Sequence, residues 1–172
     1  MKYDYKALYE KSAAFYNARP NAKKALLIAN SILTLLFLLA YGGLVLYALF
    51  FQKDLPTTDA VALLFAPALC VFLVAVLRLA VNRPRPYSEA GANITPLLQK
   101  RGAQDKSFPS RHIACAFVIS GVFLFHLPII GIALFAFALA LGYIRFALGL
   151  HYPSDLIGGA GVGLFCSLFL WI

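Results

Sequence analysis

Long apolar runs without a charge set the terms on which this chain can fold. Residues 25–51 contain no Asp, Glu, Lys or Arg, and from Ile113 to Ile172 the only such residues are Arg145 and Asp155. About 20 apolar residues suffice to cross a hydrocarbon core as a helix. With 62% hydrophobic residues, 13% charged residues and a mean hydropathy of +0.80, the chain is a membrane protein and not a soluble domain. Its 172 residues suit a single bundle. The sequence therefore predicts an all-α, integral membrane helical bundle with about five transmembrane helices plus an N-terminal interfacial helix.

The chain divides into a basic segment, 1–24, and a transmembrane domain, 25–172. In the first, Lys2, Lys6, Lys11, Arg19, Lys23 and Lys24 face only Asp4 and Glu10, interleaved with Tyr3, Leu8, Tyr9, Phe15 and Tyr16. This pattern reads as a short interfacial helix ending near Pro20, or equally as a solvated basic arm. It is no signal peptide, because the apolar run after it is too long for an h-region. The spans expected are 25–51, 60–77 with Pro67 as a kink, a third with its core at 113–125, 129 to about 150 after Pro128, and a fifth from Pro153 to the C-terminus. A turn falls at 52–59. The loop 82–108 is long enough to be functional, and Ile94, Leu97 and Leu98 in it are expected to rest on the membrane surface. The glycines of the last two spans, among them Gly142, Gly159 and Gly163, suit close helix contacts.

Cys70, Cys115 and Cys166 show no paired spacing, so they read as small core residues, with no disulfide framework and no Cys-based metal site. The net charge of +8 is concentrated before Arg111. It suggests anionic headgroups or an anionic substrate, while the lack of a separate basic domain argues against nucleic acid.

Five crossings bring three groups of polar residues to one membrane face: Arg78 to Arg85 at the end of the second span, Pro109 to His112 before the third, and Arg145 to Asp155 between the fourth and fifth. Each group alone has a simpler explanation, such as snorkelling anchors for Arg78 and Arg85 or a helix-tying ion pair for Arg145 and Asp155. Convergence is what suggests a site. Charges within a membrane are costly and are by default functional candidates. Several arginines in one pocket call for an anion, and guanidinium forks match phosphate oxygens. In SFPSRH, Pro109 is expected to open a helix whose first N–H groups face the anion, and Pro153 in HYPSD repeats the device.

A phosphoryl group so held needs a nucleophile, and neutral imidazole is one. His151 is the candidate. Asp155, four residues on, would accept the other ring N–H and stabilise the developing positive charge. His112 would protonate the leaving oxygen and then activate water.

These residues resemble the type 2 phosphatidic acid phosphatase superfamily of membrane lipid phosphatases, related to vanadium haloperoxidases. Its motifs run Lys-x6-Arg-Pro, Pro-Ser-Gly-His and Ser-Arg-x5-His-x3-Asp. Arg78 with Arg85-Pro86 is similar to the first, Pro109-Ser110-Arg111-His112 to the second, and Ile144-Arg145 with His151 and Asp155 to the third. The resemblance implies a phosphohistidine at His151 backed by Asp155, general acid/base chemistry at His112, and phosphate binding by Arg78, Arg85, Ser110 and Arg145 without a metal or cofactor. Three positions depart. Arg78 stands for lysine, Arg111 for glycine and Ile144 for serine. Arg111 adds a fourth cation at the site mouth, one suited to a second phosphate.

Two other classes remain open. Two histidines and a carboxylate resemble a facial-triad metal set, although the arginines would repel a cation. A protein that binds or transports an anionic lipid without chemistry would also tolerate the three departures. For an enzyme, the expected substrate is a membrane lipid phosphate or diphosphate, and the resemblance suggests undecaprenyl diphosphate, phosphatidylglycerol phosphate or phosphatidic acid. Lys106 and Arg83, with Arg111, read as extra cations that favour a diphosphate, or, for Lys106 and Arg83, as a solvated loop face. Basic residues before Ala25 favour a cytoplasmic site, whereas the resemblance implies an extracytoplasmic one, which is the expectation kept here.

Overall fold

Helix accounts for all regular structure in the computed structural model, which describes residues 5–51, 57–98 and 106–168. The elements are α1 (Tyr5–Asn17), α2 (Pro20–Phe51), α3 (Thr57–Val81), α4 (Arg111–His126), α5 (Pro128–Ala147) and α6 (Pro153–Ser167). Each long apolar run becomes a helix, as expected of a chain that must satisfy its backbone internally in lipid.

The helix ends differ from the sequence reading in ways that proline and capping chemistry explain. Helix α1 ends at Asn17, near Pro20 as expected, and α2 begins at Pro20 itself and not at Ala25, since the fixed φ of proline suits a first helical position. Pro128 and Pro153 open α5 and α6 in the same way. At α4, however, the helix begins at Arg111 and not at Pro109. Ser110 is the extended N-cap with φ −72 and ψ 109. Helix α3 runs on to Val81 and takes Arg78 into its last turn, where a cation complements the negative end of the dipole.

Among the described residues, three stretches are long and apolar enough to cross a membrane: Pro20–Phe51, Leu63–Val81 and Pro128–Ala147. Helix α4 has 16 residues, about 24 Å at 1.5 Å per residue, shorter than a hydrocarbon core of ~30 Å. The C-terminal end of the fifth expected span lies outside the described residues, as does most of the turn at 52–59. Burial explains how a short helix fits: α4 is the hub, packed against α2, α3, α5 and α6. Its Ala114, Val118 and Val122 are enclosed, whereas α2 leaves Leu38, Leu39, Leu46 and Leu49 exposed, a pattern suited to lipid contact. Helices α4 and α6 approach closely because of two glycines. A Cβ at Gly159 would lie 2.6 Å from the Ser110 carbonyl oxygen, and one at Gly163 would lie 2.5 Å from that of Ala114.

Within α3, Pro67 cannot donate to the carbonyl of Leu63. The Tyr41 hydroxyl of α2 donates to that carbonyl instead, at 3.2 Å. The exposed polar group that the proline creates is thus satisfied by a neighbouring helix.

Helix α1 is docked on the loop that follows α3. Tyr5 and Tyr9 are buried; the Tyr9 hydroxyl donates to the Thr95 carbonyl at 3.0 Å and accepts from the Leu97 N–H at 3.1 Å. The Leu97 N–H is shared with the Leu148 carbonyl at 3.2 Å. Ile94 and Leu97 are therefore buried against protein and do not rest on a membrane surface. Ile94 packs with Tyr5 and Tyr9, and Leu97 with Ile144 and Leu148.

Candidate active site

The C-terminal ends of α3 and α5 and the N-terminal ends of α4 and α6 meet at one end of the bundle, so all three polar groups are brought together there. The connection from α5 to α6 is the short hairpin 148–152, whose turn is made at Gly149 with φ +75, a left-handed conformation that favours glycine. It ends in His151, which is buried, as are Asp155, Arg85, Arg145 and Ser110. Buried charges of this kind persist only with partners, and the partners are specific.

His151 Nδ1 lies 3.5 Å from Asp155 Oδ2, within ion-pair reach but longer than a formed hydrogen bond. The same oxygen accepts the Tyr152 N–H at 2.8 Å and the Ser107 hydroxyl. Arg83 Nη1 contacts the other oxygen, Oδ1, at 3.0 Å. Helix α4 is pinned to α6 where the Ser110 N–H donates to the Asp155 carbonyl at 2.9 Å. That N–H is thus committed to protein and is not a donor for an anion. The first intrahelical bond of α4 runs from Ala114 N to Ser110 O, so the N–H groups of Arg111, His112 and Ile113 precede it at the positive end of the dipole.

The cations are placed by backbone carbonyls and one hydroxyl. Arg78 Nε donates to the Pro109 carbonyl at 3.1 Å. Arg85 Nη1 donates to the Leu150 carbonyl at 3.3 Å, one residue before His151. Arg145 Nη2 donates to Thr34 Oγ1 at 3.3 Å. Arg145 Nε and Ser110 Oγ are buried without a protein partner among the described residues, which fits donors reserved for a ligand.

Burial pulls the His151 imidazole down to about 4; Asp155 opposes this, and Arg85 and Arg145 add to it. The ring is therefore neutral at physiological pH, the form a nucleophile needs. Among the described residues no three His, Cys, Asp or Glu side chains come together as a metal-ligand set.

Beside this cluster lies a cavity of about 720 Å³. Arg111, His112 and Arg145 form its polar end with Asn30, Ser31 and Thr34, and Leu38, Tyr41, Pro67, Val71 and Leu141 continue it between the helices. His151 and Asp155 are not among its walls, so Arg145, which lines the cavity and also faces His151, joins the buried cluster to it. Arg111 is exposed at its rim.

Sequence reasoning missed three contributors. Ser107, Arg83 and Thr34 each bond a site residue. Ser107 sits just outside the second motif, Thr34 is one small polar residue in an apolar span, and Arg83 is no solvated loop cation: it pairs with Asp155 and lies over the Tyr152 ring at 3.9 Å. A serine two residues from a motif and a basic residue two before Arg85 were the signals available.

The PAP2 superfamily model matches residues 59–172. The lipid A 4'-phosphatase of Bacteroides thetaiotaomicron is 34% identical over 110 residues, 62% of this chain and 48% of that protein, so the chain spans about half of that relative's length. YbjG of Escherichia coli, named as a proposed undecaprenyl-diphosphatase, is 32% identical over 152 residues, 86% of this chain and 72% of that one. The crystal structure of Aquifex aeolicus LpxE is similar with a TM-score of 0.70 at 27% identity, covering 96% of this chain and 93% of that one. With the residues of three motifs gathered at one end of a helical membrane bundle, and the family match running from α3 to the C-terminus, this chain belongs to the PAP2 superfamily.

Proposed function

We propose that the protein is a membrane-embedded lipid phosphatase that removes phosphate from a lipid phosphomonoester or diphosphate through a phosphohistidine. The observation that carries this reading is the buried His151, held neutral and faced by Asp155, with Arg85 and Arg145 close enough to depress its basicity. Two cations beside a neutral imidazole suit an anionic electrophile. The names of the relatives support the substrate class, and undecaprenyl diphosphate, phosphatidylglycerol phosphate and phosphatidic acid are the lipids we favour.

Because Nδ1 faces Asp155, Nε2 is the nucleophile. It attacks phosphorus; the N–P bond forms as the bond to the leaving oxygen breaks, and His112 gives that oxygen its proton. For a diphosphate the leaving group is the lipid monophosphate. Water then attacks phosphorus and gives a proton to His112, the N–P bond breaks, and inorganic phosphate leaves. Arg78, Arg85, Arg145 and Ser110 Oγ take the charge of the equatorial oxygens, and Arg111 meets the substrate at the cavity rim. The apolar part of the cavity suits the first carbons of the lipid tail.

We read the chain as five crossings, with residues 1–24 as a basic segment at the interface and 25–172 as the phosphatase domain. Since α1 packs on the catalytic hairpin side, both share one membrane face, which we assign to the extracytoplasmic side. An Ala90→Cys variant should react with an impermeant maleimide in intact cells; reaction only after lysis would reverse the assignment.

The functional test is phosphate release by detergent-purified protein from a panel of lipid monophosphates and diphosphates, with chelator present and His151→Ala in parallel. Release is expected to survive chelator and to vanish in the variant. A folded protein that binds these lipids but releases nothing would instead be a lipid-binding or transport protein.

A further inference from the structure

Arg83 is absent from the set of phosphate-binding cations named above, yet it holds the carboxylate on which the chemistry depends. We propose that Arg83 is a positioning residue for phosphoryl transfer: its guanidinium, laid on the Tyr152 ring, fixes the rotamer of Asp155 and so the orientation of His151. The inference rests on the phosphatase reading of the site.

Both oxygens of Asp155 are assigned. Oδ2 accepts from Tyr152 N–H and Ser107 Oγ and is the oxygen that faces His151 Nδ1. Oδ1 is held by Arg83 Nη1 at 3.0 Å. A carboxylate bound only through Oδ2 could still swing about that oxygen; a second anchor on Oδ1 removes the freedom. The anchor is itself held. The Nη1 group also donates to Ser154 Oγ at 2.6 Å, Cζ lies 3.9 Å above the Tyr152 ring, and the Arg83 carbonyl accepts the Ser107 N–H at 2.8 Å. One residue therefore ties the loop after α3 to the segment before α4 and to the first turn of α6.

The competing role would be that of another phosphate cation, as its basic neighbours in the sequence suggest. Geometry disfavours it. Both Nη1 protons are committed to Ser154 and Asp155, and Arg83 does not line the cavity where Arg111, His112 and Arg145 stand. Its side chain is 35% exposed while that of Asp155 is fully buried, so it reaches in from the surface. The charged groups facing His151 itself are Asp155, Arg85 and Arg145; Arg83 acts on it only through the carboxylate.

The test is a double-mutant cycle on kcat and KM with the preferred lipid, using Arg83→Gln, Asp155→Asn and both together. Misplacing a catalytic group by an ångström can cost on the order of 100-fold. Arg83→Gln is expected to lower kcat by roughly 10- to 100-fold, with KM changed less than about 2-fold. In the Asp155→Asn background the same change should cost less than about 3-fold, because the carboxylate that Arg83 positions is no longer there. Arg83→Lys, whose ammonium can reach Asp155 Oδ1 but can neither fork nor stack flat on Tyr152, should recover only part of kcat, and it provides the comparison if the glutamine variant fails to fold. Independent, multiplying effects of the two substitutions would overturn the proposal. So would a rise in KM confined to diphosphates with kcat retained, which would make Arg83 a substrate contact. An inactive but folded parent would overturn the phosphatase reading and the proposal with it, whereas an active parent with an additive cycle would sink the proposal alone.

Discussion

The backbone N–H of Ser110 donates to the backbone carbonyl of Asp155 at 2.9 Å, so the residue that caps α4 is tied to the residue that faces His151. The bond exists because Gly159 lets α6 lie against the Ser110 carbonyl, where a methyl would stand 2.6 Å away.

Gly159→Ala should therefore push the two helices apart at the site. Overpacking of a tight contact costs about 1–3 kcal/mol. Gly163→Ala, which meets Ala114 and Phe117 further along the same interface, should destabilise to a similar degree. Thermal melting in detergent should show comparable losses for both, while phosphate release should fall much further in Gly159→Ala. Equal loss of activity in the two variants would mean that the Ser110–Asp155 link does not matter to the chemistry.

The depressed basicity of His151, to about 4, sets a pH dependence of stability. The unfolded chain restores an imidazole near 6.5, so unfolding takes up a proton between roughly pH 6.5 and 4. The stabilisation is complete above that window, is lost as pH falls through it, and changes no further below it, for a total on the order of 3 kcal/mol. The melting temperature of the parent should drop more steeply than that of His151→Gln between pH 7 and about 4.5. Parallel curves would show that the imidazole is hydrated and titrates normally.

Arg145 reaches Thr34 through Nη2 and keeps Nε free of protein partners among the described residues. Arg145→Lys retains charge but loses the fork, and removal of one preorganised donor costs about 10²–10³ in kcat. Thr34→Val removes only the hydroxyl that steadies the guanidinium and should cost a few-fold. Steady-state kinetics distinguish the cases: if Arg145→Lys stayed within about tenfold of the parent, a point charge would suffice and the fork would be dispensable.

Much of this architecture is legible in the sequence because lipid imposes simple rules. Uncharged runs become helices, prolines mark their starts, and rare charges mark a site. His151, Asp155, Arg85 and Arg145 stand out for that reason. What was not legible depends on contacts between distant segments. Whether Pro109 or Arg111 begins α4 turns on the Ser110 N–H finding Asp155. Nor does anything near Ile94 and Leu97 announce that α1 will cover them. Arg83 was the least readable: in a loop rich in Lys and Arg, nothing local distinguishes a solvated guanidinium from one that has found a buried carboxylate.

The turn at Gly149 leads to a final consequence. A Cβ there would lie 2.9 Å from the ring and hydroxyl of Tyr9, so the aromatic ring occupies the hollow of the hairpin that ends in His151. Tyr9 belongs to a segment outside the family match at 59–172. The hairpin's shape is thus written twice, once in the family region and once in a helix that the motifs do not include. A chimera that takes residues 1–58 from another member of the superfamily should keep its catalytic hairpin only if the incoming helix brings a ring to fill that hollow, which makes positions 9 and 149 a pair to be exchanged together.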